Sequence, residues 1–129
     1  MKPTSILQAL ALLFFVLTAN AQQGINYKAI IHDAGGNVLV NAPVLVQFTI
    51  LENGTINVYQ ETHNPSTDAQ GIIVVNIGEG NLVSGDFISI NWRSDSQYLK
   101  TEIDIGDGLT DMGTTEFKSI PYALHANTS

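Results

Sequence analysis

The 129-residue chain contains no cysteine, which excludes disulfides, thiolate metal sites and a cysteine nucleophile, so any fold rests on packing and strand pairing. The same absence removes the lipid-bearing cysteine that a bacterial lipoprotein carries after its signal. Cations are scarce as well. Five Lys and Arg stand against twelve Asp and Glu, a formal net charge of −7. Binding to a phosphate backbone needs clustered Lys and Arg, so nucleic acid is excluded as a partner. No apolar run reaches the ~20 residues that cross a hydrocarbon core, so no transmembrane segment is expected. Also missing are a Gly-x-Ser-x-Gly elbow, a Ser-x-x-Lys pair and a phosphate-cradling glycine loop. Hydrolase chemistry therefore finds no motif to rest on, and the chain reads as no enzyme.

The longest apolar run lies at the start. Lys2 supplies a positive charge, Ile6 to Leu17 is almost wholly apolar, and Ala19-Asn20-Ala21 offers the small-x-small site of a signal peptidase. Residues 1–21 read as a cleaved secretory signal, with the mature chain beginning at Gln22. An exported protein, extracellular or at the cell surface, is the expectation, and removal of Lys2 leaves it more acidic still.

Beyond the signal, the dominant period is two. Val44, Val46, Phe48 and Ile50 alternate with Leu45, Gln47 and Thr49, and Leu99, Ile103 and Ile105 alternate with Lys100, Glu102 and Asp104. Both patterns predict half-buried strands. Glu52-Asn53-Gly54-Thr55 before Ile56 to Thr62 predicts an antiparallel hairpin, because Asn and Gly tolerate positive φ. Gly24 to Ile31 is a further strand ended by turn formers at 33–37, and His63 to Gly71 reads as a loop. The continuous apolar run Ile72 to Ile77 predicts a buried strand. From Asn81 to Trp92, either Asp86 caps a short helical turn or Ile88, Ile90 and Trp92 form one strand face; the turn leading into Tyr98 is preferred. The fold class expected is all-β, an immunoglobulin-like or transthyretin-like antiparallel β-sandwich of about seven strands. It forms a single domain over 22–126 with a tail at 127–129.

Few residues suggest chemistry. His32, His63 and His125 fall in or beside different loops, without metal-ligand spacing or a carboxylate partner, and read as ordinary surface residues. Asp104, Asp107 and Asp111, interspersed with Gly106 and Gly108, have the oxygen chemistry calcium favours, although the spacing is not that of an EF-hand. The alternative is a solvated turn between two strands, where Asp and Gly are the default residues. Trp92 and Tyr98 offer either an aromatic platform for a sugar ring or peptide, or core packing. No cofactor is implied other than calcium at that loop. The partners in view are another extracellular protein or a glycan.

The chain ends in Met112-Gly113-Thr114, then Ser119-Ile120-Pro121-Tyr122-Ala123-Leu124-His125-Ala126. Earlier come Gly24-Ile25-Asn26-Tyr27-Lys28-Ala29, Tyr59-Gln60-Glu61-Thr62-His63, Ile90-Asn91-Trp92 and Leu99-Lys100 with Glu102-Ile103-Asp104. In this order they resemble an N-terminal β domain of uncharacterised secreted and cell-surface proteins of Bacteroidetes. The resemblance covers residues 22–126 and carries no activity; it implies structural marks such as hairpin ends, a core Trp and a Pro that fixes the exit strand. In such proteins a fibre-like, collagen-like, coiled-coil or sorting region follows. Here the chain stops at Ser129, and the expectation is a truncated product or a stand-alone copy. The resemblance implies a non-enzymatic structural or adhesion module; the alternative is a carbohydrate- or calcium-dependent binding module.

Overall fold

A computed structural model of the chain describes residues 24–93 and 96–118. The signal at 1–21, the Ser119 to Ala126 motif with His125, and the tail at 127–129 lie outside the described residues. Among the described residues seven antiparallel strands appear in chain order: β1 (Ile25–Ile30), β2 (Leu45–Glu52), β3 (Ile56–His63), β4 (Ile72–Ile77), β5 (Asn81–Gly85), β6 (Gln97–Asp104) and β7 (Thr110–Glu116). They form a two-stranded sheet, β1-β4, and a five-stranded sheet in the order β5-β3-β2-β6-β7. The protein is an all-β sandwich. No helix among the described residues is long and apolar enough to cross a membrane.

Alternation builds the interior. Val46, Phe48 and Ile50 of β2 are fully buried, and across the sandwich Ile25 of β1 and Ile73 and Ile77 of β4 close over them. Tyr27 meets Phe48 edge to face, with ring centroids 4.9 Å apart, so an aromatic contact joins the two sheets. A second row of rings follows, Tyr59 to Phe87, Phe87 to Trp92 and Trp92 to Phe117, with centroids 5.3, 6.0 and 5.2 Å apart.

The hairpin joining β2 to β3 turns at Asn53 and Gly54, both at positive φ (55° and 83°). A β-bulge follows. Leu51 pairs with Asn57, but Ile50 pairs with Tyr59, leaving Val58 as the extra residue. Without it, Ile50 would oppose Val58, and Gln60 and Thr62 would face the core. The bulge turns Tyr59, Glu61 and His63 inward instead. Gly85 seats it: a Cβ there would lie 2.2 Å from the Val58 carbonyl oxygen, and Gly85 itself has φ of 87°.

Three expectations change. Asn81–Gly85 is a strand, paired with β3, before Asp86 caps the 3-10 turn Phe87–Ser89 by accepting from the Ile88 amide. Ile72–Ile77 is buried on one face only, with Val74 exposed on the other, because no described element covers the outer side of the two-stranded sheet. The strand β3 runs on through His63, where a loop is predicted to begin. That next loop is closed by Asp68, whose carboxylate accepts from the amides of Ile72 (2.9 Å) and Gln70 (2.8 Å). Those amides hold its pKa below the ordinary carboxylate range.

Gly85→Ala tests the seat of the bulge. It is expected to destabilise the protein by about 3 kcal/mol, through left-handed backbone strain and forced displacement at Val58. Alanine at Gly36, also at positive φ but with open space around it, should cost only the backbone strain. Urea unfolding of the two variants makes the comparison.

Candidate functional site

The bulge places a carboxyl group in the sandwich interior. Glu61 is fully buried, yet each of its oxygens has partners. The Tyr59 hydroxyl donates to Oε1 at 2.5 Å, the Gly78 amide donates to Oε1 at 2.9 Å and to Oε2 at 3.0 Å, and the His63 ring nitrogen Nε2 meets Oε2. Residues two apart on a strand share a face, which is why Tyr59, Glu61 and His63 converge without any helical spacing. Gly78 directly follows β4, so the carboxyl joins the larger sheet to the end of the smaller one. Glycine at 80 lets the β4–β5 connection cross close above, since a Cβ there would come within 2.5 Å of His63 Nε2.

His63 is therefore not the surface residue expected: its side chain is 11 % exposed and it does have a carboxylate partner, at i−2. Its ring also meets Phe48 edge to face at 5.6 Å. His32 is exposed on a short bridge to Val38. Burial raises the Tyr59 pKa well above the ordinary tyrosine value, and its bond to Glu61 and the charges of Glu61 and Asp86 add to the effect. Tyrosine, glutamate and histidine together resemble an acid–base set, but here they sit in the core.

The aspartates proposed for calcium take up local turns. Asp104 Oδ1 accepts from the amides of Gly106 (2.7 Å) and Gly108 (3.0 Å), and Asp111 Oδ1 accepts from Gly113 (2.8 Å). Among the described residues no group of three or more His, Asp or Glu side chains gathers to hold a metal, so Asp104, Asp107 and Asp111 do not form a ligand set. Trp92 and Tyr98 do not share a surface either. Trp92 is half-buried between Phe87 and Phe117 on the core side, whereas Tyr98 alternates to the outer face of β6, its ring beside Gly54.

An open concavity of about 310 Å³ lies between the start of β1 and the end of β7. Its mainly apolar walls include Ile25, Tyr27, Ile77, Leu99 and Phe117, and none of Tyr59, Glu61 or His63 lines it. Sequence reasoning missed both the groove and the buried Glu61. The glutamate's signal was its place between Tyr59 and His63 in a strand, and the bulge at Val58 hides which face they take. No family model, curated protein or solved structure matches the chain.

Two variants and a pH series examine the buried carboxyl. Glu61→Ala strands three buried donors and leaves a cavity, so unfolding free energy should fall by about 3–5 kcal/mol, while Glu61→Gln, which keeps volume and an acceptor, should lose about 1–2 kcal/mol. Equal losses would mean that the hydrogen bonds contribute little. Tyr59 supplies the pH dependence. Its folded pKa lies above the unfolded value of ~10, so the native state holds the proton where the unfolded state has lost it. Its contribution is complete below pH ~10 and declines as pH rises further, so alkaline melting curves should fall more steeply for the natural chain than for Tyr59→Phe.

Proposed function

We propose that the protein is a secreted or cell-surface structural and adhesion module that works by contact rather than catalysis. The observation that carries this reading is the open edge of β5. Asn81–Gly85 is exposed along its whole length, has no charged residue and no proline, and presents Leu82 (63 % exposed) and Val83 (52 %) beside Ile88 (80 %). The register of β5 shifts at Val83, but neither charge nor proline blunts this edge, and an apolar edge of that kind is suited to strand addition or apolar contact with another macromolecule. Tyr59, Glu61 and His63, spent on joining the sheets, support a scaffold role. The apolar run and Ala-x-Ala site at the N-terminus support export.

The test uses the full chain expressed with its N-terminal segment in a Gram-negative host. Protein recovered outside the cytoplasm should begin at Gln22, whereas a cytoplasmic chain retaining Met1 overturns export. Microspheres coated with that mature protein should bind bacterial cells saturably and in competition with soluble protein. Val83→Lys should weaken this binding at least tenfold without changing the melting temperature. Beads that behave like albumin-coated controls sink the adhesion reading, and a melting temperature raised by calcium or by a glycan replaces it with a ligand-binding module.

A further inference from the structure

The two-stranded sheet is narrow for an element that must cover a five-stranded one. β1 pairs with β4 on one side, and no described strand lies along its other side. A groove lies at the start of β1, bounded by Ile25, Asn26 and Tyr27 and by Thr115 to Lys118 at the exit of β7. Backbone amides and carbonyls that border an apolar concavity are costly to leave unpaired.

We propose that this groove is a strand-accepting site and that its occupant is the chain's own segment Ser119 to Leu124, added to the free edge of β1. Four observations converge on that occupant. The described chain leaves β7 through Phe117 and Lys118, which are themselves walls of the groove, so the next residue starts inside it. Ile120, Tyr122 and Leu124 alternate with Ser119, Pro121 and Ala123, giving one apolar side to lay over Ile25, Ile77 and Leu99. Six extended residues span about 20 Å, the length of the six-residue β1. Finally, Ser119 to Ala126 has no acidic residue, in a chain of net charge −7, so this segment meets an acidic domain without repulsion.

Direction follows from the entry point. The segment arrives at Ile25 to Tyr27, the beginning of β1, so it can run along the strand only in parallel. Pro121 has no amide hydrogen and is tolerated where that position faces outward from the new edge. The smaller sheet then has three strands, and β1 becomes its centre.

Nuclear magnetic resonance of the mature, unsubstituted chain reads this directly. Contacts between the Tyr122 ring or Ile120 methyls and the methyls of Ile25, Ile77 or Leu99 are expected, together with slow exchange of the β1 amides that do not face β4. The double variant Ile120→Asp/Tyr122→Asp should speed exchange at those amides at least tenfold while β6 amides keep their protection, which separates loss of the added strand from loss of the fold. Absent contacts with fast exchange at the β1 edge of the natural chain overturn the proposal. So does protection that disappears on dilution as a dimer dissociates, since the occupant is then a second copy. Both results are independent of whether coated microspheres adhere to cells.

Discussion

A single inserted residue governs the interior of this sandwich. Val58 breaks the register of the β2–β3 hairpin, and everything on β3 beyond it changes face. A period-two element has no gradual response to such a slip: the whole inward set is exchanged for the outward one. Had the hairpin continued in register, Gln60 and Thr62 would point at Phe48. Instead Tyr59 and Glu61 do, and the polar group that enters the core is a carboxyl with enough donors around it to be satisfied. Burying such a group alone is costly, so the Tyr59 hydroxyl, the Gly78 amide and His63 are conditions of the bulge rather than additions to it. The constraint reaches further. Gly85 must lack a side chain to lie against the bulge, and Gly78 and Gly80 must bring the β4–β5 connection down onto Glu61 and His63.

This explains which parts of the molecule the sequence discloses. β2 declares itself through inward Val46, Phe48 and Ile50, β6 through Leu99 and Ile103 despite the buried Gln97 and Thr101 on the same face, and Asn53-Gly54 names its own turn. The strand class, the Asp86 cap and the sandwich follow from such local signals. Asn81–Gly85 is hidden for the opposite reason: an exposed edge strand has no buried face to impose alternation, so the adjacent Leu82 and Val83 give no strand signal. His63 is hidden because its partner lies two residues back on a strand, a spacing that is ordinary in sheets and that helix-based metal or acid–base motifs do not describe. The aspartates of the β6–β7 turn show how composition leaves two readings open. Asp and Gly suit calcium and suit tight turns equally, and in the structure the amide hydrogens of Gly106 and Gly108 point at Asp104 as in a turn.

The two aromatic groups divide the labour between the sheets. Tyr27, Phe48 and His63 form a line from the small sheet through the centre to the polar cluster. Tyr59, Phe87, Trp92 and Phe117 form another that begins beside the buried carboxyl and ends at the groove. Edge-to-face contacts fix orientation as well as proximity, so Phe117 is held at the point where the chain leaves β7.

The edges of the sandwich are not equivalent, and this bears on how it meets other molecules. β7 carries Asp111 and Glu116, and its register shifts near Gly113, at positive φ, so this side is charged and irregular in the manner that discourages pairing. β5, at the other end of the same sheet, also has a register shift, at Val83, but is uncharged and has apolar side chains outward. Charge is therefore what distinguishes the two edges. If β1 is filled from within by the residues that follow Lys118, the remaining open strand of the small sheet is β4, with Val74 exposed. The contacts proposed for β5 would then be made along one edge, with the acidic charge elsewhere on the chain discouraging association at other faces.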